Sequence, residues 1–523
     1  MSDPIVYELQ GNAAETQQFR SQVGHISKNS GVLFAGTIFS VALGYVFKVY
    51  LARVLGAEAL GVYALGMTLV GFVGVFNSLG LAESAVRFGS VYRATNRPQP
   101  LRALIWWGGL ILLAANVLFG VFFWQTAGVV ARRFYHSRLL AHYLPWFAAL
   151  MVIGVISTFY GRILAGYRAV GRRTIITNFI GNPATMLFAV VLIQMGRGLS
   201  GYLLAQVLSA VLVVVLLLIV VWKLTPQEAR FLWPPARLEP EVWSFSAAAM
   251  GIMLLDFFVG QTDKIALGFY LGARSVGIYS VGAAVVVYES LVLSSVNQVF
   301  SPIIADLHAR GDHAMLGRLY RALAKWVFGL TLPLAITVIV YARPFMRIFG
   351  HDFAAGWPIL IIGTVGQLVN CGVGSVGLLL WMSGNMRRLL RTQAAMVVVM
   401  IVANVALIPI WGIIGAAVAA AITNAGTNIW NWVSVRKVFG FSPFGTGFVR
   451  LLAPSVASVL VALLLKHEAN MMGRDWLAIV IGLLGTYGVF AGVTAIFGIA
   501  PDDRLVVDAM RSRIGGRLGI RKG

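Results

Sequence analysis

Charged residues, acidic ones above all, and cysteine are scarce in this chain, and each shortage excludes a class of protein. Only 11% of the 523 residues are Asp, Glu, Lys or Arg, whereas 59% are hydrophobic and the mean hydropathy is +0.83. Because a soluble domain is about one quarter charged, the composition indicates a polytopic membrane protein. The single cysteine, Cys371, excludes a disulfide within the chain.

The motifs of several enzyme classes are missing as well. There is no Gly-x-x-x-x-Gly-Lys-Ser/Thr loop to cradle the phosphates of ATP. All seven histidines fall in expected loops or tails, which disfavours a buried histidine metal site. The outer loops are short, unlike those of membrane-bound sugar polymerases. We therefore expect a protein that is not an enzyme and that uses no cofactor or metal.

Long apolar runs fill most of the sequence. About fourteen runs of roughly 20 apolar residues predict an all-α integral membrane protein with about 14 transmembrane helices, and continuous runs disfavour a membrane barrel. The expected parts are a cytoplasmic N-terminal segment (1–30), an N-terminal helix bundle with spans 1–6 (31–222), a cytoplasmic linker (223–245), a C-terminal membrane region with spans 7–14 (246–498) and a basic cytoplasmic tail (499–523).

The distribution of basic residues predicts the orientation of the chain. The net charge of +22 comes from short clusters between the apolar runs, and these clusters fall mainly on one side when the N-terminus is cytoplasmic. An anionic inner leaflet explains them without nucleic acid. Residues 1–28 lack the features of a cleaved signal. We expect a multi-pass protein of the bacterial inner membrane with both termini in the cytoplasm.

Residues 44–70 and 260–286 are two copies of one pattern. Such a repeat is typical of transporters built from two related halves with the substrate path between them. The identical residues are Gly44, Lys48, Leu51, Leu55, Gly56, Ala57, Gly61, Tyr63, Gly66 and Val70 in the first copy, and Gly260, Lys264, Leu267, Leu271, Gly272, Ala273, Gly277, Tyr279, Gly282 and Val286 in the second.

Cationic side chains within the apolar runs are candidates for substrate binding. Lys48 and Lys264 either reach the outer interface by snorkelling or line a central cleft that attracts an anionic head group such as a diphosphate. Their equivalence in the repeat favours the cleft. Arg162, near the cytoplasmic end of the fourth run, either contacts lipid phosphates or guards the inner mouth.

Three acids inside apolar runs are candidates for ion coupling. Asp256 and Glu289 lie near the middle of the seventh and eighth runs, where a charge needs a partner or a wet cavity. They are either protonatable or cation-binding carboxylates, or structural buried acids. Asp263 lies two helical turns after Asp256 and therefore on the same helix face, beside Lys264.

Two further polar patterns point mainly to structure. Glu83 and Arg87 have the i, i+4 spacing of a local ion pair. Asn424, Asn428 and Asn431 form a stripe on one helix face, suited to hydrogen bonding between helices or to sugar hydroxyls. Helix association is the preferred interpretation of the stripe.

Several motifs, in this order, resemble one family. They are Leu51–Gly56 followed by Gly61–Tyr63, Gln261–Lys264 with Leu271–Gly272 and Val276–Tyr279, Phe300–Pro302, Met382–Asn385 and Gly412–Ala417. The pattern resembles the polysaccharide transport family, the Wzx-type flippases of the multidrug/oligosaccharidyl-lipid/polysaccharide exporter superfamily.

The resemblance implies two pseudo-symmetric seven-helix bundles that alternate between inward-open and outward-open states. The implied cargo is a polyprenyl-diphosphate-linked oligosaccharide, moved from the cytoplasmic to the outer leaflet for surface polysaccharide synthesis. The implied coupling ion is H⁺ or Na⁺, and a polysaccharide polymerase and co-assembly proteins are possible partners. Cationic roles carry over to Lys48, Lys264 and Arg162.

Two other transport functions remain open. A lipid II flippase of the same superfamily would share the architecture and differ only in its cargo. A cation-coupled multidrug exporter is disfavoured because its signature acid in the first span is missing: residues 31–52 contain no acidic residue.

Overall fold

The computed structural model of the protein describes residues 41, 43–167, 169–231, 237–471 and 475–496, and every regular element within these ranges is a helix. Segment 1–30, the start of the first expected span, part of the linker and the tail 499–523 lie outside the described residues. The all-α membrane class predicted from the sequence is confirmed.

Eleven helices in the described part of the chain are long and apolar enough to cross a membrane. Three of them, Leu43–Asn77, Val170–Leu224 and Pro240–Tyr288, have 35, 55 and 49 residues. Since about 20 residues cross a bilayer, each of these three is longer than one crossing, and each overlaps two of the apolar runs. The number of crossings therefore stays a prediction.

Equivalent glycines interrupt the first and last of these long helices. Gly56 in α1 (Leu43–Asn77) and Gly272 in α9 (Pro240–Tyr288) have φ angles of 79° and 78°. An L side chain is strained in this region of backbone conformation, whereas glycine is not. Both copies of the repeat thus turn at the same position, which explains the shared Leu-Gly-Ala sequence.

The chain divides into two compact units. Unit 1 comprises residues 1–50, 69–129 and 141–251, and unit 2 comprises 51–68, 130–140 and 252–523. Unit 1 has a core of large apolar side chains, among them Leu104, Phe159 and Leu217. Its helices include α2 (Leu81–Ala94), most of α3 (Pro98–Arg133) and of α4 (Arg138–Gly166), α5 (Val170–Thr174), α6 (Asn182–Leu192), α7 (Gly198–Leu224) and α8 (Gln227–Phe231), with π-helical turns at Ile175–Gly181 and Ile193–Arg197.

Unit 2 contains most of α9 and the helices that follow it. A break at Glu289 and Ser290 separates α9 from α10 inside the eighth apolar run. The later helices are α10 (Leu291–Ala309), α11 (His313–Val340), α12 (Ala342–Ile348), a 3₁₀ turn (His351–Gly356), α13 (Trp357–Val373), α14 (Val376–Met382), α15 (Met386–Trp411), α16 (Ile413–Phe439), α17 (Thr446–Val449), α18 (Leu452–Met471) and α19 (Asp475–Ile496).

Candidate functional site

A half-buried lysine in α9 is held by neutral partners. The Lys264 amine donates a hydrogen bond of 2.8 Å to Oε1 of Gln261, one helical turn earlier. The Thr68 hydroxyl donates to the same oxygen at 3.3 Å. Among the described residues no carboxylate forms an ion pair with this amine. The Asp263 carboxylate is close enough to interact with its charge, but it is not hydrogen-bonded to the amine.

The neighbouring acid, Asp263, is committed to other donors. Its side chain is buried, and Oδ2 accepts a hydrogen bond of 2.6 Å from the Tyr279 hydroxyl. The other oxygen, Oδ1, accepts from the backbone N–H of Lys264 at 2.7 Å. A buried carboxylate with both oxygens bonded is stabilised in place, so Asp263 shapes the site from within α9.

The two repeat copies differ at this acid. Phe47 stands in the first copy where Asp263 stands in the second, while Lys48 matches Lys264 and Tyr63 matches Tyr279. In unit 1, Phe47 packs against the rings of Tyr50 and Tyr202. The lysines are thus shared by both copies, but the acid that anchors the neighbouring backbone belongs to the second copy alone.

Segments from both repeat copies pack tightly within unit 2. A Cβ atom on Gly61 would overlap the carbonyl group of Ala273, and a Cβ atom on Gly277 would overlap that of Ala57. The Cβ position of Gly61 lies 3.0 Å from the backbone nitrogen of Gly277, and the Cβ position of Gly277 lies 2.9 Å from the backbone nitrogen of Gly61. We call this contact the glycine seam. At the glycine seam, the backbones of α1 and α9 are in direct contact.

The two mid-run acids have separate surroundings. Asp256 is exposed and accepts a hydrogen bond from the side-chain amide of Gln393 on α15. Glu289 is only 1% exposed, and its Oε1 accepts a hydrogen bond of 2.6 Å from Thr364 on α13. Its Oε2 has no hydrogen-bond partner among the described residues. Of the three candidate acids, Glu289 alone is buried with one oxygen unbonded.

In unit 1, Arg162 and Glu83 form an ion pair of 2.7 Å. The i, i+4 pair expected between Glu83 and Arg87 is therefore wrong: α4 brings Arg162 to the carboxylate, while the Arg87 guanidinium lies 4.7 Å from the centre of the Phe245 ring. Arg173 is close enough to interact electrostatically with both Arg162 and Glu83. No local spacing in the sequence signals the approach of Arg173 to these residues.

Lys48 belongs to unit 1, is half-buried and has an interaction partner. The expectations for Lys48, Lys264 and Arg162 as substrate contacts remain predictions. The residues that sequence reasoning did not assign to the site are Gln261, Thr68, Tyr279, Thr364 and Gln393. Only Gln261 had a local signal, its i, i+3 spacing from Lys264.

The asparagine stripe on α16 makes both contacts between helices and contacts within its own helix. Asn424 donates to Oε1 of Gln367 on α13 at 3.1 Å, and Asn428 donates to the backbone and side chain of Asn424. Asn431 is buried, with Oδ1 unbonded among the described residues. These contacts agree with helix association.

The linker is tied to α2 outside the membrane spans. Glu239 accepts hydrogen bonds of 2.6 Å from both the Tyr92 hydroxyl and Arg97. Burial, followed by the bond to Glu239 and its charge, raises the pKa of Tyr92. The Tyr92 hydroxyl therefore remains a donor at pH values where an ordinary tyrosine begins to ionise.

The described residues contain no group of three or more His, Cys, Asp or Glu side chains that could hold a metal ion. The polar groups described in unit 2 are the amine of Lys264, neighbouring amide and hydroxyl groups, and three acids that differ in exposure. Such groups bind an anionic or polar ligand by charge and hydrogen bonds, and we assign them no role in making or breaking bonds.

Comparisons with known proteins agree with this description. A family model described as "Polysaccharide biosynthesis protein" matches residues 26–308. The structure of the lipid II flippase MurJ in an inward closed conformation has a TM-score of 0.71 at 15% identity, covering 89% of this chain and 98% of that one.

Multidrug transporter structures are also similar in fold. An inward-facing MATE family transporter of the MOP superfamily has a TM-score of 0.63 at 12% identity, covering 77% of this chain and 94% of that one. A MATE transporter of Vibrio cholerae has a TM-score of 0.56 at 15% identity, covering 79% and 97%. The comparison with curated protein sequences gives no match.

Proposed function

Because the chain belongs to the polysaccharide biosynthesis protein family, we propose that it is a flippase for a polyprenyl-diphosphate-linked oligosaccharide. It moves this cargo from the cytoplasmic to the outer leaflet of the bacterial inner membrane for surface polysaccharide synthesis, such as O-antigen or exopolysaccharide. The fold that it shares with transporters supports a transport role without bond chemistry.

The observation that carries the proposal is the surroundings of Lys264. Its amine is bonded to neutral Gln261, and its acidic neighbour Asp263 is occupied by Tyr279. The amine is bonded to an amide oxygen and carries further N–H donors, so it can bind a diphosphate by charge and hydrogen bonds, with the charge of Asp263 nearby. Lys48, at the equivalent repeat position, and Arg162 are proposed as further contacts for the anionic head.

The physical problem that such a protein solves is the cost of burying the head group. A charged sugar diphosphate does not cross about 30 Å of hydrocarbon unaided, although its polyprenyl tail remains in lipid throughout. A polar cationic site exposed first to one side and then to the other lowers this cost. Alternating access needs two states of similar energy, so that modest differences in binding shift the population.

Ion coupling completes the proposal. Asp256, Asp263 and Glu289 are the candidate acids, and H⁺ or Na⁺ is the candidate ion. A gradient of either ion would supply the direction of transport if binding of the ion favours one state over the other. A polysaccharide polymerase and co-assembly proteins are the partners that would receive the cargo.

The proposal is tested by flipping of a fluorescent polyprenyl-diphosphate oligosaccharide in proteoliposomes. Lys264→Ala should reduce the rate at least about tenfold, equivalent to about 1.4 kcal/mol, while Lys264→Arg retains part of it. The matched control is Lys437→Ala, because Lys437 is exposed at the end of α16. Equal rates for Lys264→Ala and the control would remove Lys264 from the substrate site.

Two other cargoes serve as the alternative outcomes. Flipping of lipid II in the same vesicles, with no activity towards the oligosaccharide lipid, would identify a peptidoglycan precursor flippase. Transport of organic cations without flipping of either lipid would identify a multidrug exporter.

A further inference from the structure

A second polar site lies in the interior of unit 2, around the break between α9 and α10. Glu289 and Ser290 form this break, and their N–H groups bond to carbonyl groups three residues earlier, Val286 and Val287. The regular i to i−4 pattern of a helix is therefore interrupted at a buried acid. In transporters, interrupted helices of this kind recur where ions or substrates bind.

One face of α13 supplies polar groups to this acid. Thr364, Gln367 and Cys371 have i, i+3 and i+7 spacing and share that face, and all three are buried. Thr364 donates to Oε1 of Glu289. Cys371 interacts electrostatically with Glu289.

Several polar atoms of this cluster are buried without a partner in the described residues. They are Oε2 of Glu289, Nε2 of Gln367 and the hydroxyl of Thr331 on α11, which lies beside Cys371. Leu293 and Val327 pack against Cys371, so the surroundings are apolar. Unbonded polar atoms are rare in protein interiors and call for an explanation such as a bound ion.

The charged and titratable groups around Glu289 do not neutralise it. Among the described residues no lysine, arginine or histidine forms an ion pair with Glu289, and Cys371 on α13 is the titratable group that faces it. Tyr288 precedes it on α9. A buried carboxylate without a counter-charge is so costly that it takes up a cation, most simply a proton.

The other two acids do not have this need. Asp263 receives hydrogen bonds from Tyr279 and from the backbone of Lys264. Asp256 is exposed and bonded to Gln393. Neither acid therefore has a buried carboxylate oxygen without a partner, which is the feature that distinguishes Glu289.

We propose that Glu289, framed by Thr331, Thr364, Gln367 and Cys371, is the proton-binding site of this transporter. The inference rests on the proposed transport function and selects one acid and one ion for it. A proton from water on one side of the membrane binds a Glu289 oxygen, and it returns to water on the other side after the change of state. Only an O–H bond forms and breaks.

The donor set favours a proton over sodium. A proton needs one oxygen, and Oε2 of Glu289 is unbonded. Sodium is a hard cation and needs several oxygen ligands at once. In this cluster, Oε1 of Gln367 already accepts a hydrogen bond from Asn424, and no second carboxylate forms part of it.

The test measures protonation of Glu289 in the absence of cargo. Infrared difference spectra of the full-length protein in lipid vesicles report the C=O band of protonated carboxyl groups as pH is raised. We expect Glu289→Gln to remove one such band at neutral pH and Asp256→Asn to leave it. Loss of the wild-type band on addition of sodium would make this a sodium site. A band unchanged by Glu289→Gln would show an ionised acid and overturn the proposal.

A second variant guards against misfolding of Glu289→Gln. Thr364→Val keeps the shape of the side chain but removes the donor that favours the ionised form of Glu289, so the band should persist to higher pH, and Thr364→Ser should restore the wild-type titration. An unchanged titration in Thr364→Val would contradict the site. The infrared band is recorded without cargo, so it tests the proton site independently of the proposed cargo. Flipping assays on the same variants test the cargo separately.

Discussion

Gly61 and Gly277, which occupy equivalent positions in the two repeats, each pack against the alanine four residues before the other. Gly61 faces Ala273, and Gly277 faces Ala57. The contact is therefore reciprocal, as expected for two related segments that meet about a local two-fold axis. Glycine at both positions lets the two backbones approach more closely than any other residue permits.

The first prediction concerns this glycine seam. Gly61→Ala should reduce the free energy of unfolding by about 1–3 kcal/mol, because the added methyl group overlaps the Ala273 carbonyl and the backbones must separate. The measurement is thermal unfolding in lipid nanodiscs. The matched control is Gly74→Ala in the same helix, where an added Cβ meets no atom within 4 Å; the seam is not tightly packed if both variants behave alike.

A second prediction concerns the charge of Lys264. Gln261→Glu places a carboxylate where the amide oxygen now lies, 2.8 Å from the amine, and should form an ion pair. We expect flipping of the diphosphate cargo to fall about tenfold while the protein unfolds no more readily. Gln261→Met serves as the neutral control. Flipping as fast in Gln261→Glu as in wild type would mean that the amine does not meet an anion.

The third prediction concerns the bond between Tyr279 and Asp263. Tyr279→Phe leaves a buried carboxylate oxygen without its donor and should destabilise the fold by about 1–3 kcal/mol. Asp263→Asn in the Tyr279→Phe background should cost less than in the wild type, since the two changes remove the same interaction. Additive effects in this double-mutant cycle, measured by thermal unfolding, would show that the bond does not couple the residues.

A fourth prediction concerns Arg162, whose carboxylate partner competes with any anionic ligand. Glu83→Gln removes this competitor, so the affinity for a soluble prenyl diphosphate should rise several-fold, by no more than about tenfold for a partly exposed pair. The control is Glu228→Gln in α8, an exposed acid of the same unit. Binding is measured by calorimetry on the purified protein, and a drop in affinity would remove Arg162 from the cargo path.

The fifth prediction concerns pH and the linker. The ordinary tyrosine pKa is 10.0, and burial with Glu239 raises the pKa of Tyr92 in the folded chain. The stabilising contribution of Tyr92 is therefore complete below about pH 10 and declines as the pH rises towards the folded value. The difference in unfolding free energy between wild type and Tyr92→Phe should be flat to that pH and shrink above it. A difference that stays flat well above pH 10 would contradict the bond between the neutral Tyr92 hydroxyl and Glu239.

Much of the fold could be predicted from the apolar runs, because lipid leaves the backbone few ways to satisfy its hydrogen bonds. The repeat contains Gly56 and Gly272 at equivalent positions, and the structure shows that α1 and α9 turn there. The i, i+4 spacing of Glu83 and Arg87 suggested the wrong ion pair, since the partner of Glu83 is Arg162 on α4. The partners of Asp263, 16 residues away, and of Glu289, 75 residues away, were equally hidden.

The sequence by itself determined the class of protein, its helical character and its family, since these depend on hydrophobic composition, local periodicity and ordered motifs. The tertiary structure alone decided which charges are compensated. It committed Asp263 to Tyr279, left the Lys264 amine with neutral Gln261 and buried Glu289 with one oxygen unbonded. The physical reason is that burial and hydrogen bonding arise between residues far apart in the chain, where no periodic pattern reports them.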